Sequence, residues 1–163
     1  MIAPEALLTR VGESLTAITA PRFFETERGY QGQLLAQLDA RLHLPHAAIV
    51  EQEYQKQASM HRLNIRPDII IHEPFDPERH HSRADGNFAV IELKRRASPA
   101  DARDDFQSLA KMLDVLRYRL GIFINIDSGM THSKLVPADL RGRVACFAVR
   151  LTNGVPEIVE HRI

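Results

Sequence analysis

The sequence predicts a mixed α/β fold, one sheet of parallel and antiparallel strands with helices packed on it. Three observations carry this expectation. Two helical patterns lead the chain, short apolar runs rich in β-branched residues follow, and a third helical pattern separates the third of these runs from the later ones. The resulting order, α-α-β-β-β-α-β-β, contains no repeat and no low-complexity tract, and such an order packs as helices against a mixed sheet. At 163 residues and 44% apolar content, the chain fills one core well and two poorly. Residues 1–163 are therefore expected to form a single domain.

Each element has its own signal. From Pro4 to about Ala20, Leu7, Leu8, Val11, Leu15 and Ile18 recur at three- and four-residue steps. That is the spacing of an amphipathic helix, with Pro4 suited to its first turn and Pro21 to its end. A second helix is expected from about Thr26 to Leu42 through Tyr30, Leu34, Leu35 and Leu38, against the opposing propensity of Gly29 and Gly32, and Pro45 closes it. The runs "AAIVEQEYQKQ", "RPDIIIH" and "FAVIEL" read as strands, the last entered through the turn "DGN". Fifteen residues, "EPFDPERHHSRADGN", join the last two as a long loop between strands that can pair.

After Lys94 the period changes. Ser98, Pro99 and Asp101 supply an N-cap, a first-turn proline and an acid at the third helical position, and Phe106, Leu109, Leu113, Leu116 and Leu120 form one apolar stripe, with Gly121 as the expected stop. "GIFINI" and "VACFAVR" follow as buried strands around a polar loop holding Pro137, and "VPEIVEHRI" as a short edge strand.

Composition narrows the function classes. Twenty-one basic residues balance twenty-one acidic ones, so no global field draws the protein to a polyanion, and any nucleic-acid binding must come from a local patch. The lone cysteine, Cys146, lies in an apolar run and is expected to be a buried, inert thiol. One cysteine permits no intrachain disulfide, which suits a reducing cytoplasm. The start "MIAPEALLTR" has neither the basic region nor the long apolar stretch of a signal peptide or spanning helix, so no membrane is expected as a partner.

The conspicuous chemistry is charge inside two strands that otherwise read as dry. Asp68 stands in "RPDIIIH", and Glu92 and Lys94 stand in "FAVIELKRR". Alternation puts Glu92 and Lys94 on one side of their strand and Ile91 and Leu93 on the other. If the two strands pair, Asp68 projects beside Glu92. Two carboxylates so close repel unless something positive lies between them, and hard oxygen ligands favour Mg²⁺ or Mn²⁺. Lys94 would then stand next to the ion, placed to hold or deprotonate a water or to stabilise charge growing on a phosphate.

Pro67-Asp68 followed by Glu92-Leu93-Lys94 resembles the P-D…E-x-K pattern of the PD-(D/E)XK nuclease superfamily, over roughly residues 24 to 126. The resemblance implies a restriction-endonuclease-like core in the order α-β-β-β-α-β, here with an extra N-terminal helix and one or two extra C-terminal strands. It further implies metal-dependent hydrolysis of DNA, with Asp68, Glu92 and the Leu93 backbone carbonyl holding Mg²⁺ or Mn²⁺ and Lys94 positioning the water. In that superfamily an acid on the preceding helix often assists the metal. The run "ETERGYQGQL" resembles that helix, with Glu27 as the match, while Gln33 is an amide where other members carry the acid.

Other residues have plainer readings beside a functional one. Glu27 suits a helix first turn through the dipole alone, and Glu53 occupies a polar position that any half-exposed strand would show. His80 and His81 are adjacent, an awkward pair for one ion on a regular element. Gln107 and Lys111 lie one turn apart on the polar face that every amphipathic helix needs. Arg62, Arg66, Arg95 and Arg96, with Arg103, cluster in sequence around the acids and form the candidate DNA-contacting patch. No recognition helix or zinc finger is evident, so targeting would come from DNA structure, a partner or dimerisation. The alternative function is a nuclease-like module for DNA binding or assembly without hydrolysis.

Overall fold

The computed structural model describes residues 3–44, 47–52 and 66–163. Pro45, Glu53 and Arg62, together with the part of "AAIVEQEYQKQ" beyond Gln52, lie outside them. Among the described residues, three helices, α1 (Pro4–Thr16), α2 (Glu27–Arg41) and α3 (Pro99–Val115), pack on six strands: β1 (Ile49–Gln52), β2 (Ile69–His72), β3 (Asn87–Arg95), β4 (Leu120–Ile126), β5 (Val144–Thr152) and β6 (Val155–Arg162). The strands lie in sequence order across one sheet. The β1–β2, β2–β3 and β5–β6 pairs are antiparallel, while β3–β4 and β4–β5 are parallel. This is the mixed α/β architecture expected from the element order. No helix among the described residues is long and apolar enough to cross a membrane.

The first helix stops at Thr16, short of the expected Ala20. Pro21 is the reason. It holds the residue before it in extended geometry, and Ala20 has φ −79° and ψ 121° before a short 3₁₀ turn over Pro21–Phe24. The second helix begins as expected, with the Thr26 hydroxyl accepting the Gly29 N–H. The third has the full capping box: the Ser98 side chain takes the Asp101 N–H and the Asp101 carboxylate takes the Ser98 N–H. Its end differs from expectation. Leu116 caps the helix, its carbonyl taken at 2.6 Å by the Asn87 side chain, and Arg117 turns left-handed at φ 56°. Leu120 and Gly121, expected as the last stripe position and the stop, therefore open β4. The edge strand β6 covers eight of the nine residues of "VPEIVEHRI", and Asn153 (φ 52°) and Gly154 (φ 78°) close a two-residue hairpin turn before it.

Alternation along the strands divides the interior in two. Ile69, Ile71, Ala89, Ile91, Leu93, Ile122, Ile124 and Phe147 pack with α1 and α2 through Leu8, Val11, Leu15, Leu34 and Leu38. Ile70, Val90, Phe123, Val144 and Cys146 pack with α3 through Ala102, Phe106, Leu109 and Leu113. Burial pushes the Cys146 thiol up to about 12, the inert state expected for it. The loop between β2 and β3 closes on Gly86, where a Cβ would lie 2.3 Å from the Glu73 carbonyl oxygen. Only glycine permits that approach.

A carboxylate cluster at the open end of β3

The last residues of β3 outrun their neighbour. Ile69, the first residue of β2, pairs with Ile91, so the backbone beyond Ile91 has no β2 residue to pair with. Two carboxylates take its N–H groups instead. Asp68 Oδ2 accepts the Leu93 N–H at 2.7 Å, and Glu27 Oε2, from the first turn of α2, accepts the Arg95 N–H at 3.1 Å. The Asp68 carbonyl is held in turn by the buried Gln31 side chain, one turn along α2, at 2.7 Å. Pro67, which has no N–H to satisfy, is buried just before it. The sequence thus places acids where a ladder end would otherwise leave buried donors unmade.

Asp68, Glu92 and Lys94 lie on the α3 side of the sheet, as their spacing from Ile70 and Val90 requires. The Asp68 and Glu92 carboxyls lie close enough for each to act on the other's pKa. Glu92 is 7% exposed, and burial first, then the Asp68 and Asp105 carboxylates, hold its pKa well above the usual value. Asp68 is also raised, chiefly by burial and secondly by Glu27, against the lowering effect of the Leu93 N–H. Two neighbouring carboxyls whose pKa values are both raised mark a site short of positive charge.

Lys94 completes the group. Burial acts to lower its pKa, but the Asp105, Glu27 and Asp68 carboxylates outweigh this and raise it, so the ammonium stays charged. Asp105 is the residue the sequence reading missed. It sits on α3, its pKa is pushed up to about 6 by burial and by the neighbouring carboxylates although Lys94 opposes this, and its Oδ2 is buried without a hydrogen-bond partner. Its signal was present: Asp105 is three residues after Ala102 and four before Leu109, a stripe position where a leucine would be ordinary.

The other candidates fall elsewhere or take structural partners. Arg95 donates to the Phe24 carbonyl and to Asp127, and Arg96 also pairs with Asp127 from a largely exposed position at φ 51°. Arg66 is exposed, and Gln33 is half-buried while Gln31 makes the contact. Gln107 and Lys111 are exposed on α3. In the β2–β3 loop, the Asp76 N–H donates to His80 Nδ1 and His81 is exposed.

Carboxylate oxygens are the donor type that a hard divalent cation takes. Two neighbouring carboxyls with raised pKa values lack a positive partner between them, and the unpartnered Asp105 Oδ2 faces the same charges. Among the described residues no three acidic, imidazole or thiol groups already converge on one point, so the protein side chains that fit the ion are the pair Asp68 and Glu92.

No family profile and no curated protein matches the sequence. Among solved structures, NucC of P. aeruginosa ATCC27853 in its cAAA-bound form is similar at a TM-score of 0.50 and 11% identity, over 99% of this chain and 85% of that one. NucC of E. coli MS115-1, also cAAA-bound, is similar at a TM-score of 0.49 and 14% identity, over 97% of this chain and 80% of that one. The likeness is one of fold.

Proposed function

We propose that this protein is a metal-dependent endonuclease that hydrolyses DNA phosphodiester bonds at the cluster on β3. One observation carries the reading: the half-buried Asp68, just before β2, takes the Leu93 N–H at 2.7 Å beside the buried Glu92, with the Lys94 amine on the same face two residues on. In this reading Asp68, Glu92 and the Leu93 carbonyl would hold Mg²⁺ or Mn²⁺. When bound, the ion would neutralise phosphate charge and acidify a water.

The chain's own groups do the rest. Lys94 donates to the attacking water or to a non-bridging phosphate oxygen, and a charged ammonium suits that role better than proton abstraction. Asp105 acts through Lys94, holding the amine against the sheet. Glu27 fixes the end of β3 through Arg95, which keeps the Glu92-Leu93-Lys94 run in register with Asp68. Arg66 and Arg96, with Arg62, supply phosphate contacts that carry affinity and no sequence information. Specificity would come from DNA structure, a partner or a second copy of the chain.

Plasmid nicking tests this directly. The wild-type protein is expected to nick supercoiled DNA with Mg²⁺ or Mn²⁺ and not in chelator, and Asp68→Ala, Glu92→Ala and Lys94→Ala are expected to lose nicking while keeping wild-type circular dichroism. Folded wild-type protein inactive with both ions on single-stranded, duplex and branched DNA would refute the reading.

A further inference from the structure

A second feature lies one strand away from the cluster on the same face. A cleft of about 510 Å³ opens between the N-terminal end of α3 and the loop that follows β4. Arg103, Lys134, His132 and His161 line it together with the apolar side chains of Met130 and Leu135, and none of the described lining residues is acidic. In a chain whose charges balance to zero, that is a local excess of positive charge. Met130, which lines the cleft, is an apolar side chain 63% exposed.

The cleft is built and tied to the cluster. Asn125 pairs with Lys94 in the β3–β4 register. Its fully buried side chain accepts the Ala97 N–H at 2.9 Å and donates to the Met130 carbonyl at 2.8 Å. His132, held left-handed at φ 54°, bonds through Nε2 to the Ala97 carbonyl at 2.9 Å. Residues three positions past Lys94 thus anchor the cleft wall from both sides. A non-glycine residue in that conformation costs about 1 kcal/mol or more and persists where its surroundings dictate the shape.

We propose that this cleft holds an unpaired nucleotide of the strand being cleaved, its phosphate on Arg103 and Lys134 and its base against Met130 and Leu135. The proposal rests on the nuclease reading above and names its substrate: single-stranded or locally opened DNA. Duplex backbone needs only exposed cations, whereas a hollow with an apolar wall accommodates a base face that pairing would hide.

Fluorescence anisotropy of the full chain in chelator, where no cleavage occurs, tests it against a labelled oligothymidylate of about 20 nucleotides and a duplex of equal length. Arg103→Glu with Lys134→Glu is expected to weaken oligothymidylate binding roughly tenfold or more and to flatten its salt dependence by about two counterions. Met130→Ser is expected to weaken the single strand by about threefold or more while leaving the duplex unchanged. Unchanged oligothymidylate affinity in both variants overturns the proposal, as does an equal loss for duplex with Met130→Ser. Saturation of the cleft by thymidine 3′,5′-bisphosphate with no binding of the oligonucleotide would assign it to free nucleotides instead, and also overturns it. Strand binding of this pattern without Mg²⁺-dependent cleavage sinks the hydrolytic reading and leaves the cleft standing; cleavage with unaltered strand affinity in the variants does the reverse.

Discussion

Strand β3 has two sides with the same degree of burial and opposite chemistry. Ala89, Ile91 and Leu93 are at most 1% exposed and meet hydrocarbon from α1 and α2, while Val90 and Glu92, at 0% and 7%, look toward α3 together with Lys94. Burial alone does not tell them apart. The difference lies in what stands opposite: leucines on one side, Asp68 and Asp105 on the other. A buried side chain facing hydrocarbon stabilises by transfer and packing. A buried carboxyl facing two more stabilises nothing until a proton or a cation joins it.

Neighbouring substitutions on the two sides should therefore separate stability from activity. Ile91→Ala is expected to lose about 2–5 kcal/mol in denaturant unfolding, with cleavage per folded molecule retained. Glu92→Gln, one residue on, is expected to lose about a thousandfold in cleavage rate, with unfolding free energy unchanged or increased because a desolvated acid is gone. If Glu92→Gln cleaves like wild type, or unfolds as easily as Ile91→Ala, the two sides do not differ in the way described.

A smaller effect follows from the titration of the α3 side. Asp68, Glu92 and Asp105 all have raised folded-state values, Asp105 from 3.8 to about 6. Their sign is therefore that of acids bound more tightly to protons in the native state. The stability they permit is complete below the unfolded values, near 4, and is lost as pH rises through the folded ones. Asp85 and Asp101 are lowered, with the opposite sign, and act only on acidification below 3.8. Without divalent ions the melting temperature should fall by a few degrees between pH 4 and about 7, a modest figure because Asp105 is partly solvated. Millimolar Mg²⁺ should remove most of the fall, and Asp105→Asn should shrink it. A flat profile without metal would mean the α3 side carries no such strain.

How much of this was legible beforehand depends on the range of the signal. The capping box at Ser98, the alternation of Glu92 and Lys94, and the inert Cys146 are local patterns, and they appear as read. The order of elements carried the mixed α/β sheet for the same reason. What was missed is set by contacts far apart in sequence. Asp105 stands at a stripe position of its helix, but what it meets there shows only once the helix is laid on the sheet, and the Gln31 amide meets the Asp68 carbonyl 37 residues away. Glu27 was read through a resemblance. Its bond to the Arg95 N–H instead reflects how far β3 outruns β2, a register no local pattern shows. The arginines were grouped by sequence proximity, yet Arg95 turns to Phe24 and Asp127.

The smallest effect tests how tightly α3 must sit. Gly121 opens β4 on the α3 side, where a Cβ would lie 3.2 Å from Val144 Cγ2 and 3.4 Å from the Leu109 and Leu113 methyl groups. Leu109 is one helical turn past Asp105, so a methyl at Gly121 presses on the part of the helix that carries the acid. Gly121→Ala gains by restricting the unfolded chain and loses by overpacking, each by about 1 kcal/mol, so its unfolding free energy should stay close to wild type. A displacement of a few tenths of an ångström at Asp105 should still reach Lys94, and cleavage is expected to drop by about two- to fivefold. Ala89→Gly is the matching change on the other side of the sheet. It should cost about 1 kcal/mol of stability through a lost methyl and a freer chain, with cleavage unchanged. Equal activity losses from Gly121→Ala and Ala89→Gly would mean that the chemistry is indifferent to the spacing between α3 and the sheet, and that Asp105 does not act through Lys94.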